Sequence, residues 1–430
     1  MKQNFSKGWI YIVGMAFLAS IPLERIPSIN YYGATLRISQ VLLAILAISL
    51  LYQKIKQRKV NLTFSPALVL YLLFILGMLS SFILMQNYSR GILVFCFITF
   101  TSLVLWVLPN IIQDKKTLER SLNVILISSV VVSIFGIYQF LGDTFGLPTH
   151  LTGLRWGYTK IVFGFARIQA TELEPLYLAN FLIIPITLLF AQFIRGVGGY
   201  SKKYLLATLT LLGVVFILTL ARGAYLGLLV SLIIVALCSF RQCFKLKPIA
   251  TILGITVLSL AVVSFLIYLN HPSAHYVNET VRHFLFLSND FSTQERVSRF
   301  SSGLAAFKTS PIFGVGVGNF GPWLAGYPHA VPQLGWSIVN NEPLEILAET
   351  GVVGFILTTI GLVALIARSI KAIYVANDDY YKGMMIALFA AMIGVLVQFQ
   401  TFSTLYIMQI WVLFGLNFAV QNIIIKQDKS

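Results

Sequence analysis

Acidic residues are scarce in this sequence of 430 residues, and so are charged residues in general. Only 15 residues are aspartate or glutamate, and 11% of the chain is charged, whereas soluble globular proteins carry roughly 25% charged residues. The chain is therefore not a large soluble protein. Cysteine is scarce as well, and Cys96, Cys238 and Cys243 have no spacing typical of a disulfide framework or a metal site.

Apolar runs long enough to cross a bilayer recur along the whole chain. With 57% hydrophobic residues and a mean hydropathy of +0.84, they predict an all-α polytopic membrane protein with about twelve spans. We expect one integral membrane domain over residues 1–430, in which the N-terminal segment is retained as the first helix rather than removed as a secretory signal. The expected spans lie near residues 8–23, 37–53, 66–85, 91–112, 121–141, 174–194, 204–221, 223–240, 249–269, 343–367, 383–400 and 404–425.

Lysine and arginine are distributed unequally between the two faces. Lysines gather in alternate loops, which predicts that these loops and both termini are cytoplasmic. Because the charges lie in short loops and not on a folded basic domain, the net charge of +16 does not indicate a nucleic acid partner. The opposite, outer face carries mostly arginine, namely Arg25, Arg37, Arg90, Arg155, Arg167, Arg222, Arg282, Arg296 and Arg299.

The preference for arginine on the outer face has a chemical meaning. Guanidinium presents a rigid fork of donors that matches phosphate oxygens and stays charged at any working pH. The set therefore indicates an anionic, phosphate-like ligand at the outer leaflet. For any single residue, such as Arg25 or Arg90, contact with lipid headgroups is the plainer interpretation. Arg222 lies between two spans with almost no polar loop, so we expect it to face a cavity or a partner.

Histidine offers little sign of a metal site. All five histidines fall in outer segments, and none pairs with acidic residues at a spacing that would hold zinc on a helix. We expect neither a metal nor a cofactor.

The longest outer segment, residues 270–342, lies between the ninth and tenth spans. Within it, "TQERVSRFSSGLAAFKTSP" predicts an amphipathic helix that carries Arg296 and Arg299 on one side. The following "PIFGVGVGNFGPW" contains G-x-G-x-x-G but lacks the strand and βαβ context of a dinucleotide site. We interpret Gly316 and Gly318 as part of a turn whose backbone approaches a ligand or a neighbouring helix.

Three glutamates stand at the start of the tenth span. Pro343 suits the first helical position, so the helix should begin near Asn341 or Glu342. At about 100° per residue, Glu342, Glu345 and Glu349 fall within about 60° of one another. Acids in a first helical turn are favoured by the helix dipole, which accounts for the first two. Glu349 is deeper and needs a buried partner, for which an outer arginine is the candidate, so we expect the three carboxylates to face a polar cavity.

Together these stretches resemble the O-antigen ligase and polymerase superfamily of bacterial membrane glycosyltransferases. The resemblance covers roughly residues 160–360 and rests on "ARIQATELEPLYLANF", "LTLARGAYLGLLV", "RFSSGLAAFKTSPIFGVGVGNF" and "NNEPLEILAETGVVGF". It implies a GT-C type bundle in the bacterial inner membrane, whose outer cavity binds an undecaprenyl-diphosphate-linked oligosaccharide. Two positions depart from the family pattern: Asn340 stands where ligases have histidine, and Gly303 stands where an aromatic residue is expected.

The resemblance, which matches Arg222, Arg299, Arg167, Glu349 and Gly351 to family positions, and the chemistry of a diphosphate donor together indicate roles for individual residues. Arg222 and Arg299 would hold the diphosphate in catalysis, with Arg167 and Arg296 helping to bind it. Glu342 or Glu345 would orient or activate the sugar hydroxyl of the acceptor. The remaining expected substrate contacts are Asn340, Asn341, Glu349, Gly316, Gly318 and His329.

Three functions remain open from the sequence. The first is a polymerase that joins glycan repeat units, and the second is a ligase that transfers the glycan to a lipid A core or a protein. The third is a transporter of an anionic lipid-linked glycan, which would have a charged site near the midplane in broken helices, with access from both faces. Membrane lipids are expected partners, and a regulator of chain length is a candidate protein partner.

Overall fold

The computed structural model describes residues 2–25, 28–31, 34–57, 66–153, 161–162, 165–239, 291–326, 336–403 and 405–428. The predicted ninth span at 249–269 and His329 lie outside these residues. The first five helices, α1 to α5, are Lys2–Ala19, Ile38–Lys56, Pro66–Ser80, Tyr88–Ser102 and Val104–Ile111. A 3₁₀ turn at Ser81–Leu84 extends α3.

Ten further helices follow in the described part of the chain. Helices α6 to α10 are Lys115–Thr144, Thr149–Thr152, Pro175–Arg195, Lys202–Leu218 and Arg222–Cys238. Helices α11 to α15 are Phe291–Thr309, Phe320–Ala325, Glu342–Val375, Asp379–Gln398 and Met408–Asp428. Two short antiparallel hairpins, which the sequence analysis did not predict, are formed by β1 (Ser28–Tyr31) with β2 (Ala34–Arg37) and by β3 (Ile161–Val162) with β4 (Phe165–Ala166).

The all-α polytopic prediction is confirmed. Eight helices of the described chain are long and apolar enough to cross a membrane, and two shorter ones, Gly8–Ala19 and Arg222–Cys238, are also apolar. Every predicted span that falls on described residues coincides with a helix. Helices form because each run buries its backbone hydrogen bonds internally, as the hydrocarbon interior of a bilayer requires.

The centre of the bundle is formed by α8 and α15, of which nearly every residue is buried. Helix α14 packs between α8 and α10. Gly227 of α10 faces Gly394 of α14 so closely that a Cβ on Gly227 would lie 2.5 Å from the Gly394 carbonyl oxygen. Small residues that allow such backbone contact are the usual means of joining helices in a membrane. The outer end of α14 is thereby held against the start of α10, where Arg222 lies.

Helix α13 is broken at Gly351, which has φ 63° and ψ −169°. This combination lies outside the helical region and is essentially restricted to glycine. The break separates the short first part of the helix, which carries the three glutamates, from its long second part.

Candidate functional site

The glycine-rich segment 311–320 docks into the break in α13. Val315 N donates to Ala348 O at 3.0 Å, and Gly316 N donates to Glu349 O at 2.9 Å. In the other direction, Val352 N donates to Pro311 O at 2.9 Å. A helix end leaves such backbone groups without intrahelical partners. The inserted segment therefore satisfies the hydrogen bonds that the break at Gly351 exposes.

Two glycines make this close contact between backbones achievable. Gly314 has φ +74°, and a Cβ there would collide with the backbone of Glu349. Gly351 has φ +63°, and its Cβ would collide with the carbonyl group of Ile312. We call residues 314–320 the glycine turn. The sequence predicted that its backbone approaches either a ligand or a neighbouring helix, and at Gly314 it approaches helix α13.

The carboxylate of Glu349 is held by backbone amides. Its Oε2 accepts a hydrogen bond from Gly318 N at 2.7 Å, and its Oε1 accepts one from Phe320 N at 3.0 Å. The residue is only 9% exposed. Its hydrogen-bond partners are thus amides of the glycine turn, while the arginine partner expected from the sequence is Arg90, which acts on this carboxylate electrostatically. Gly318, predicted to contact substrate, directs its amide to this carboxylate.

Arg90, at the start of α4, joins the glycine turn to the glutamates. Its Nε donates to Gly318 O at 2.6 Å, and its guanidinium carbon lies 5.6 Å from the ring centre of Trp336. The cation is close enough to act electrostatically on the carboxylates of both Glu345 and Glu349. Sequence analysis did not single out Arg90, because an arginine at the end of an apolar run has the same pattern as one that contacts lipid headgroups.

Asparagines fix the start of α4 against the glycine turn. Asn319 Oδ1 accepts a hydrogen bond from Asn87 N at 2.7 Å, and Asn87 Oδ1 caps the helix by accepting one from Arg90 N at 2.9 Å. Ser81 Oγ accepts a further hydrogen bond from Val317 N at 3.0 Å. These contacts hold Arg90 in position, since its own backbone takes part in them.

A cavity of about 90 Å³, which we call the polar cavity, lies between α4, α13 and the glycine turn. All three glutamates line it. Glu342 Oε2 accepts a hydrogen bond from Leu405 N at 3.0 Å, and Glu345 Oε2 accepts one from Val339 N at 2.8 Å. Its other polar lining residues are Arg90, Ser337, Thr350, Thr358 and Tyr406.

A second cavity of about 210 Å³, which we call the apolar cavity, adjoins the polar one. The two share Phe74, Ile346, Leu405 and Glu342 in their linings. The remaining lining of the apolar cavity includes Leu70, Phe355, Leu362, Leu396, Trp411 and Phe414. A ligand that reaches both cavities would therefore have a charged part and a hydrocarbon part.

Asn340 and Asn341 have different structural roles. Asn341 caps α13, since its Oδ1 accepts a hydrogen bond from Leu344 N at 3.0 Å, while its Nδ2 donates to Gln400 O at 3.1 Å. Asn340 adopts φ 60°, the left-handed region that asparagine tolerates better than most side chains. The turn before α13 thus requires a particular backbone shape at the position where ligases have histidine.

Arg167 and Arg222 lie around the turn between α9 and α10. Arg167 Nε donates to Thr219 O at 2.7 Å, and Arg222 is the first residue of α10. Gly223 packs directly against Thr401 in the segment between α14 and α15. The same segment contacts Asn341 and Glu342 on its other side. Residues 399–403 and Leu405 therefore lie between the start of α10 and the glutamates at the start of α13.

Arg296 and Arg299 lie on α11, which packs against α13. Arg299 Nη2 is 3.7 Å from Glu295 Oε1 and is partly exposed. One turn later, Gly303 faces Val339 and Leu344, and a Cβ there would lie 2.8 Å from Val339 Cγ1. The aromatic residue of the family pattern would not fit at this position. Its replacement by glycine allows α11 to pack closely on the start of α13.

Two other outer arginines have partners within the protein. Arg25 donates from Nη2 to Ala170 O at 2.7 Å and from Nε to Glu172 O at 3.2 Å. Arg37 Nη1 lies 3.7 Å from Glu24 Oε1. The contacts of Arg25 anchor the segment that carries Arg167, so the arginines predicted to lie on the outer face also have a structural use.

Glu24 and Glu172 form a buried carboxyl pair that sequence analysis missed. They are 1% and 0% exposed. Burial raises the pKa of Glu24, although the nearby Arg37 opposes this. Burial and the neighbouring Glu24 raise the pKa of Glu172 well above its usual range. No pattern in the sequence relates two acids so far apart in the chain.

The fold and the cavities together define a polytopic membrane protein with a charged site beside an apolar one, at the ends of its helices. Residues 207–359 match a family model described as O-antigen ligase, which supports the resemblance to the O-antigen ligase and polymerase superfamily. The matched family is one of membrane enzymes that transfer glycans. No curated protein matches the chain.

The matched region contains much of the site described above. It includes Arg222, Arg299, the glycine turn and the three glutamates, whereas Arg90 and Arg167 lie outside it. Of these two arginines, Arg90 lines the polar cavity, whereas Arg167 lies by the turn between α9 and α10.

Proposed function

We propose that the protein is a polysaccharide polymerase of the bacterial inner membrane. It transfers a glycan from an undecaprenyl diphosphate carrier to a sugar hydroxyl of a second lipid-linked glycan. The reaction takes place on the outer face of a GT-C type bundle whose termini are cytoplasmic. A separate protein that regulates chain length is a candidate partner.

The observation that carries this proposal is the adjacency of the polar and apolar cavities. A lipid-linked diphosphate glycan has a hydrocarbon chain, two phosphates and sugars in sequence, so its binding site needs an apolar surface that leads to a charged one. The apolar cavity offers the first, and the polar cavity offers a cation, Arg90, for the second. Glu342 lines both cavities. Sites of this kind take ligands by burying apolar surface and orienting a few polar groups.

Arginines supply the charge that a diphosphate leaving group needs. When the bond between the sugar C1 and the phosphate oxygen breaks, negative charge grows on the diphosphate. Arg222 and Arg299, helped by Arg167 and Arg296, would stabilise that charge by electrostatic attraction. Arg90 lies in the polar cavity and is the further candidate for this role.

A carboxylate activates the acceptor. The acceptor hydroxyl oxygen attacks C1 of the donor sugar, a new C–O bond forms, and the diphosphate departs with the bonding electrons. The hydroxyl proton passes to Glu342 or Glu345, both of which line the polar cavity. Glu349 is the weaker candidate, because both of its oxygens accept backbone hydrogen bonds.

Ligation is the second candidate function. The description of the matching family model as O-antigen ligase favours it. The asparagine at position 340 favours polymerisation, because the resemblance associates histidine at that position with ligases. A transporter is less well supported, since the acidic residues of the site lie at one end of the bundle and the family consists of enzymes.

One experiment distinguishes these functions by the acceptor to which the glycan is transferred. Purified protein would be incubated with a synthetic polyprenyl-diphosphate oligosaccharide, and the products would be identified by mass. A ladder of lipid-linked oligomers, lost in Arg222→Ala and Arg299→Ala, is the expected result. Transfer only after addition of a lipid A core or a protein acceptor would move the assignment to ligation. Binding of the lipid without any product would favour transport.

A further inference from the structure

A third cavity, of about 450 Å³, lies at the opposite end of the bundle from the glutamates. It is bordered by the start of α6, the end of α8, the loop before α9 and the start of α14. Its polar lining is formed by Lys115, Glu119, Asn123, Gln192, Tyr200 and Tyr380. The lysine-rich loops predicted to be cytoplasmic lie at this end. Nothing in the proposed glycan transfer uses these residues.

The cavity has one cation and one anion on the same face of α6. Lys115 and Glu119 are four residues apart, so their side chains lie side by side on the helix surface. Lys115 Nζ donates to Asp378 Oδ2 at 3.1 Å and lies 5.1 Å from the ring centre of Tyr380. An ammonium has three donors, so this hydrogen bond leaves donor capacity for a ligand.

Two acids near the cavity each pair with a cation, whereas Glu119 does not among the described residues. Asp378 pairs with Lys115, and Asp379 pairs with Arg195 at 3.1 Å. Among the described residues, no cation lies within ion-pair distance of Glu119. The position therefore suits a cationic group from a ligand.

Gln192 gives a second and independent sign of a ligand. It is 2% exposed, and its Oε1 has no hydrogen-bond partner in the part of the chain that the structure describes. Its Nε2 makes only a 3.9 Å contact with the sulfur of Met384. A buried carbonyl oxygen without a donor is costly. Because Gln192 lines the cavity, a donor bound there would satisfy it.

The aromatic residues place this cavity at the level of lipid headgroups. Tyr200 stacks on Tyr204 with 5.1 Å between ring centres, and Tyr204 is 42% exposed. Tyr380 and Tyr381 begin α14 on the other side. Tyrosines at the ends of membrane helices mark the bilayer interface. Basic pockets between membrane helices on the cytoplasmic side bind the phosphate groups of lipids, and Lys115 supplies the cation in this one.

We propose that this cavity binds the headgroup of phosphatidylethanolamine, with its phosphate on Lys115 and its ammonium on Glu119. A two-carbon linker joins the phosphate oxygen to the ammonium, so a cation and an anion one helical turn apart match the two charges. The ammonium also carries N–H donors for Gln192 Oε1. Phosphatidylcholine lacks those donors, and phosphatidylglycerol lacks the positive charge.

Native mass spectrometry tests the site on the full-length protein. Protein in detergent would be mixed with equal amounts of phosphatidylethanolamine, phosphatidylcholine and phosphatidylglycerol that have identical acyl chains. The wild type should retain the ethanolamine lipid about tenfold better than the other two, as expected for one charge-assisted contact. Glu119→Gln should remove this preference, and Lys115→Gln should weaken retention of all three lipids.

Lys116→Gln is the matched control. Lys116 neighbours Lys115 but is exposed and does not line the cavity, so lipid retention should stay at the wild-type level. Equal retention of the three lipids by the wild type, or a preference unchanged in Glu119→Gln, would overturn the proposal. Equal binding of glycerophosphoethanolamine without acyl chains would overturn the lipid as the source of the headgroup. Melting temperatures of all variants establish that they are folded.

Discussion

Glu349 should contribute to stability more than to chemistry, and Glu349→Ala tests this directly. The substitution leaves the buried amides of Gly318 and Phe320 without their acceptor. Each buried donor left unsatisfied costs about 1–3 kcal/mol, so the expected loss in the free energy of unfolding is about 2–6 kcal/mol. Glu349→Gln should lose less, because its amide oxygen can still accept one of the two hydrogen bonds.

The assay is thermal unfolding in detergent, followed by tryptophan fluorescence. Trp323 and Trp336 lie on either side of the affected turn and make its loosening visible. Glu295→Ala is the control, because Glu295 takes part only in an exposed pair with Arg299, for which about 0.5 kcal/mol or less is expected. A Glu349→Ala protein that melts with the wild type but cannot transfer glycan would refute the structural role of this carboxylate.

Three further predictions concern backbone shape, packing and pH. Gly351→Ala should give little folded protein, because its φ of +63° and the contact with Ile312 exclude a Cβ; Gly8→Ala, where nothing lies within 4 Å, should fold normally in the same size-exclusion assay. Gly303→Phe should melt well below Gly303→Ala, since Val339 and Leu344 occupy the space; equal melting temperatures would contradict the packing. The raised pKa of Glu172 means that the folded state holds its proton more tightly than the unfolded state. Stability should therefore fall as the pH rises above the unfolded pKa of about 4.5 until the folded pKa is passed, and Glu172→Gln should melt with a flatter pH dependence. An unchanged slope in that variant would show that the carboxyl pair does not set it.

The helices, and the shared face of the three glutamates at the start of α13, could be predicted from sequence patterns for a physical reason. Membrane spans depend on local hydrophobicity, and side chains at helical spacing share a face whatever surrounds them. Glu342, Glu345 and Glu349 accordingly line one cavity. Pro343 alone was enough to predict that the helix begins near Glu342, where the structure has its first residue.

The remaining features depend on contacts between distant segments. The break at Gly351 arises because segment 311–320 supplies replacement hydrogen bonds, which no local pattern records. Arg90 reaches the site through Gly318, which lies 228 positions away in the chain. The carboxyl pair of Glu24 and Glu172 depends in the same way on the docking of two outer segments.

The most direct test of the central claim compares donor binding and transfer in Glu342→Gln and Glu345→Gln. Both variants keep the size of the side chain and an oxygen that can accept the backbone hydrogen bond, so the polar cavity should retain its shape. We predict that at least one variant binds the polyprenyl-diphosphate oligosaccharide as the wild type does but forms no product in a single-turnover assay. Wild-type rates of transfer in both variants would contradict a carboxylate base in this cavity.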